Sequence, residues 1–181
     1  TLNPVNEAAF QKAVQSLETL NRAAVFHPTG TGKSCIAWKV VEAHPQTTFF
    51  WLVAGAQRLA LRQAELTRYN GGTLPGNVRF CDCEKLAAAT PEQWVRLGEQ
   101  KPGCIVLDCY HELSAVCWAQ SVQKLLRMCP QAKVLGLGVP NGAPVCAAAQ
   151  ELFADCIVSH MTVAEAMAAG TMPVPSAYAA L

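Results

Sequence analysis

Residues 27 to 34, HPTGTGKS, set a lysine and a hydroxyl side by side after two glycines. The spacing meets every position of G-x-x-x-x-G-K-[ST] except the first, where His27 replaces a glycine. Gly30 and Gly32 let the backbone turn its N–H groups toward a phosphate, so Thr29, Gly30, Thr31, Gly32, Lys33 and Ser34 form the candidate nucleotide-binding run. Lys33 is long enough to reach β and γ phosphates, and the Ser34 hydroxyl can complete the shell of Mg²⁺. The chemistry expected is the binding of a nucleotide's phosphates with Mg²⁺. A bare turn would need only the two glycines and leaves the lysine and hydroxyl unexplained. His27 either narrows the entry to the pocket or packs as a strand-end side chain.

A second stretch, CIVLDCYHEL at residues 104 to 113, ends an apolar run on Asp108 and follows it with Cys109, His111 and Glu112. A carboxylate at a strand end can hold Mg²⁺ through water. A thiol at position 109 does not serve as a carboxylate base at neutral pH. The two stretches together pose the question of whether the chain hydrolyses nucleotide or only holds it.

Short β-rich runs alternating with longer helical patterns must position these residues, which predicts a parallel sheet with crossover helices. Strands are expected at 22–27, 47–53, 77–82, 103–108, 132–138 and 155–160. Helices are expected at 6–20, 33–43, 56–69, from about 84 with a break at Pro91, at 115–129, near 144–152, and at 162–170. Within 56–69, Leu59, Leu61, Gln63 and Leu66 mark a helical period with arginines on the other side. Thr162 and Glu165 form a capping box. The loop therefore lies between the first strand and the second helix, where a helix N-terminus adds its positive end.

A chain of 181 residues that is 51% apolar and 15% charged fits a single well-packed globular domain, 1–181. Apolar runs such as TFFWLVAGA are too short to cross a bilayer, and no signal-like stretch opens the chain, so a cytoplasmic protein with no membrane partner is expected. Nine cysteines, an odd number scattered through apolar segments, read as small core residues in a reducing compartment. Cys81 and Cys83 flank Asp82 without a second pair or nearby histidines, a poor zinc pattern. A net charge of +1 excludes a broad electrostatic footprint for nucleic acid.

Taken in order along the chain, these motifs resemble the first RecA-like, ATP-binding domain of superfamily 2 helicases of the DEAD/DEAH type. HPTGTGKS is similar to that family's P-x-G-x-G-K-[ST] loop, and AAFQKAV (8 to 14) to its upstream aromatic-glutamine segment. The resemblance implies a three-layer α/β RecA-like P-loop fold, Gln11 as an adenine contact, Lys33, Asp108 and His111 as catalytic groups, and Ser34 and Asp108 on the metal side. FFWLVAGAQRLALRQ is similar to the segment that touches the nucleic-acid backbone, with Gly55, Ala56 and Gln57 in place of P-T-R, which makes Arg58 and Arg62 candidate contacts to DNA or RNA.

The resemblance breaks at two places. Cys109 stands where the D-E-x-H box has its water-polarising glutamate, and Glu112 lies three positions away. LGLGVPNG (135 to 142) stands where the family has a Ser/Thr-Ala-Thr element. A second RecA-like domain, in cis or in trans, is the implied partner. Two other readings fit parts of the pattern: a small P-loop kinase, for which the arginine-free stretch 140–181 provides no lid, and a non-catalytic module that presents a surface when nucleotide binds.

Overall fold

The computed structural model describes residues 1–108, 110–140 and 147–172; Cys109, the end of LGLGVPNG and the tail TMPVPSAYAAL beyond Met172 lie outside them. Six strands form one all-parallel sheet: β1 (Arg22–Phe26), β2 (Phe49–Val53), β3 (Val78–Asp82), β4 (Cys104–Asp108), β5 (Lys133–Gly138) and β6 (Ile157–His160). Their order across the sheet is β3-β2-β4-β5-β1-β6. Helices flank it: α1 (Pro4–Thr19), α2 (Lys33–Ala43), α3 (Ala56–Tyr69), α4 (Cys83–Ala87), α5 (Pro91–Glu99), α6 (Ala115–Cys117), α7 (Lys124–Met128), α8 (Ala147–Phe153) and α9 (Val163–Ala168). This is a three-layer α/β fold of the RecA-like kind. Among the described residues, no helix is long and apolar enough to cross a membrane.

The layers follow from the period of two along each strand. In β2, Phe49, Trp51 and Val53 enter a core shared with Ala9, Ala13 and Leu17 of α1 and Ile36, Val40 and Val41 of α2. Phe50 and Leu52 enter the opposite core, with Trp94, Trp118, Leu125 and Phe153. All five residues of β2 and of β4 are buried. That is why these strands read as continuous apolar runs rather than alternating ones.

Local signals set the helix ends. Asn3 accepts from the Asn6 N–H, with Pro4 beginning the first turn of α1. Thr90 and Gln93 form a capping box at α5, and Thr162 and Glu165 form the expected one at α9. Asp82 caps α4 by accepting from the Glu84 N–H at 2.9 Å, so the acid between Cys81 and Cys83 has a structural task. Burial pushes both thiols up to about 12, which leaves them inert.

Two details depart from the expected pattern. In α3 Leu66 is fully buried and Leu59 and Gln63 are half-buried, but Leu61 is 66% exposed, because the helix lies at a margin of the sheet with only a narrow stripe inward. The helix expected at 115–129 contains a π-helical stretch, Trp118–Gln123, between α6 and α7. Ser121 donates to the Cys117 carbonyl at 2.6 Å inside it.

Candidate functional site

The loop after β1 reaches α2 through two residues in the left-handed region, Gly30 at φ 86° and Gly32 at φ 89°. A side chain at Gly32 would also collide with Asn6, whose Nδ2 lies 2.9 Å from the position of a Cβ. Gly32 therefore does two things a larger residue cannot: it turns the chain into the helix and admits α1 against the loop. The backbone now begins α2 at Lys33, with no side chain capping its N-terminus. Those N–H groups and the helix dipole face the carboxyl edge of the sheet.

Lys33 is folded back into the loop, 9% exposed, and donates from Nζ to the carbonyls of His27 at 2.7 Å and Pro28 at 2.9 Å. Thr31 donates to the same Pro28 carbonyl at 2.8 Å. Asn6 donates to the Thr31 carbonyl at 2.8 Å and is itself buried, with Oδ1 unpartnered among the described residues. His27 is fully buried at the end of the loop's strand. Its Nε2 meets Ser159 Oγ of β6 at 2.7 Å, and its Nδ1 has no partner among the described residues. Burial, followed by the neighbouring Lys33 and His160 charges, lowers its pKa to about 4, so it is neutral at pH 7.

Asp108 ends β4, and strand parity places it on the face of Cys104 and Val106, the side covered by α2 and α3. Because β5 alone separates β1 from β4, the loop and Asp108 stand roughly 10 Å apart at the same carboxyl edge. A cleft of about 540 Å³ opens there, lined by Thr29, Val53, Arg58, Arg62, Glu65, Asp108 and Glu112 among others. Crevices at the carboxyl ends of parallel strands are where open α/β sheets take ligands.

A connected polar network spans the cleft floor. Asp108, 4% exposed, accepts the Trp51 indole N–H at 3.0 Å and two bonds from Arg62, Nε at 2.5 Å and Nη2 at 3.3 Å. The third Arg62 nitrogen pairs with Glu65. The other Glu65 oxygen accepts from Ser34 Oγ at 2.9 Å and from Tyr69 OH at 2.6 Å. Burial opposes the charge on both partners, yet each keeps it more firmly than usual. Asp108 and Glu65 raise the Arg62 pKa, while Tyr69, Arg62 and Ser34 lower that of Glu65. Ser34, Glu65 and Asp108 together offer the hard oxygen donors that suit Mg²⁺, so the side chains fit that ion chemically. Among the described residues there is no group of three or more His, Cys, Asp or Glu side chains arranged to hold a metal unaided.

The remaining sequence candidates are spread around this floor. Glu112, on the turn after β4, reaches the cleft and pairs with Arg58 at its rim. His111 is half-buried, with Nε2 3.5 Å from Glu112 and its pKa lowered first by burial. Arg62 lies in the cleft, engaged by two carboxylates, rather than on an open face toward a nucleic-acid backbone. Gln11 is exposed on α1 and donates to Glu7 at 3.0 Å, whereas Asn6, five residues earlier and on another face of the helix, is the α1 side chain that meets the loop. Asn6 and Glu65 are the two site residues that spacing alone does not reveal. A Tyr four residues after Glu65 is the only local hint, since the Glu65 contact to Ser34 spans 31 positions.

No family model matches the chain, and no curated protein matches it in sequence.

Proposed function

We propose that the chain is the ATP-binding domain of a superfamily 2 helicase-like protein. It takes Mg²⁺-ATP through the loop 29–34 and turns it over slowly or not at all on its own. The observation that carries this reading is one cleft at the carboxyl edge of the sheet that Thr29 of the loop, Glu65 and Asp108 line together, with the Ser34 hydroxyl bonded to Glu65 at 2.9 Å.

In this reading the backbone N–H groups of the Gly30–Gly32 turn and the first turn of α2 surround the phosphates. Lys33 exchanges its bonds to the His27 and Pro28 carbonyls for phosphate oxygens, and Ser34 exchanges Glu65 for the metal shell. Ser34 and Asp108 would hold Mg²⁺, which would supply neutralisation of phosphate charge. No carboxylate follows Asp108 directly, because position 109 is a cysteine, and this is why hydrolysis is expected to be weak. Work on DNA or RNA would then need a second RecA-like domain to complete the track and supply further cations.

The test is ATP binding and phosphate release on the purified protein beside Lys33→Ala, with and without single-stranded DNA or RNA. Saturable binding that weakens by about tenfold or more in the variant supports the reading. Equal binding by both proteins, or none by either, removes it.

A further inference from the structure

The floor of the cleft already holds a cation. Arg62 presents three nitrogens to two carboxylates, two of them to Asp108 and one to Glu65, while the far side of Glu65 holds the Ser34 hydroxyl. The side chains of Arg62 and Asp108 are 22% and 3% exposed, so this is a largely dehydrated pair and not a surface contact. The groups that would hold a nucleotide's metal, Ser34 and Asp108, are thus joined to each other through one guanidinium and one carboxylate.

Resting on the ATP-binding reading above, we propose that Arg62 is the resident counter-ion of this site and competes with Mg²⁺ for Asp108, so that metal-free ATP binds nearly as well as its Mg²⁺ complex. First, a carboxylate beside a bare triphosphate would repel it, but Arg62 cancels the charge of Asp108 before the ligand arrives. Second, Mg²⁺ gains an Asp108 contact only by displacing a fork of two N–H bonds, which offsets much of what the ion would otherwise contribute. Third, Trp51 holds Asp108 from below with its indole N–H, so the carboxylate cannot easily turn to serve both cations. Arg62 therefore sets the metal preference of the site, and its displacement would pull on α3 at the cleft wall, where Arg58 and Leu61 also stand.

The experiment measures the dissociation constant of ATP by calorimetry in EDTA and in excess Mg²⁺, for the wild type and Arg62→Gln. The wild type should bind the two forms within about threefold of each other, and the variant should favour the Mg²⁺ complex by at least about fivefold more than the wild type does. A preference that is unchanged or smaller in the variant overturns the inference. So does a wild type that favours the Mg²⁺ complex by about a hundredfold.

The N–H resonance of Arg62 Nε in the wild type provides a second reading that needs no variant. It should stay in place with ATP in EDTA and move with Mg²⁺-ATP; movement in both buffers, or in neither, overturns the competition. Loss of nucleotide binding in every buffer is a different result. It removes the ATP-binding reading itself and this inference with it, whereas normal binding with a fixed metal preference removes only the role of Arg62.

Discussion

His27 gives the sharpest prediction. It is fully buried, held by Ser159 at 2.7 Å, and faced by Lys33 and His160, with its pKa lowered from 6.5 to about 4. A histidine free in the unfolded chain protonates as pH falls through 6.5, while the buried ring resists until about pH 4. The unfolded state therefore binds more protons across that window, and stability rises with pH within it. The contribution is fully present above pH 6.5 and is lost as pH falls toward 4. A displacement of about two and a half units at 1.36 kcal/mol each corresponds to about 3 kcal/mol.

The assay is urea unfolding of the wild type and His27→Gln at about pH 7 and about pH 4.5, taking the difference between the two proteins so that the carboxylates common to both cancel. The wild type should lose about 2 kcal/mol relative to the variant over that interval. A difference that stays constant within about 0.5 kcal/mol would refute the reasoning, because it would mean that the folded protein protonates His27 as readily as the unfolded chain does.

Two further predictions probe other parts of the fold and the site. A Cβ added at Gly136 in β5 would stand 2.6 Å from Phe153 Cζ, so Gly136→Ala should cost about 1–3 kcal/mol and lower the melting temperature. Calorimetry that finds no loss would mean that Phe153 repacks freely. Cys109→Glu should raise ATP hydrolysis by on the order of 10² or more over the wild type if only the carboxylate is lacking, as read by phosphate release in excess Mg²⁺. No rise would move the defect elsewhere, Arg62 on Asp108 being the first place to look.

Particular residues explain how far the chain could be read before its structure. The start of α2 at Lys33, the apolar run of β2 and the capping box at Thr162 are local events, set by neighbours a few positions away, and each lies where its pattern placed it. The parallel character of the sheet follows from strands separated by helices, but the order of those strands is a long-range property. Nothing in the spacing tells that β5 comes between the loop strand and the strand of Asp108. The network Ser34–Glu65–Arg62–Asp108 escapes for the same reason, since it joins three elements far apart in the chain. Arginine on an amphipathic helix ordinarily means a solvated face, and only tertiary packing turns Arg62 inward. The π stretch at Trp118–Gln123 has no marker in composition, although the Ser121 hydroxyl competing for a helix carbonyl lies within it.

The place of β1, between β5 and the edge strand β6, bears on how the molecule is made. Its two neighbours in the sheet, β5 and β6, follow the other described strands in the chain, so Arg22 must wait for Val134 and Val25 for Ser159. With chain growth at about 5–20 residues per second, the loop after β1 emerges several seconds before β5 and β6 can frame it. α1, α2 and β2 can pack on one another in that interval, but β1 still lacks both of its strand neighbours. An early-emerging half that cannot close on itself is a natural client for chaperones, and ribosome-bound chains should acquire protease resistance around the loop only once residue 160 has cleared the exit tunnel.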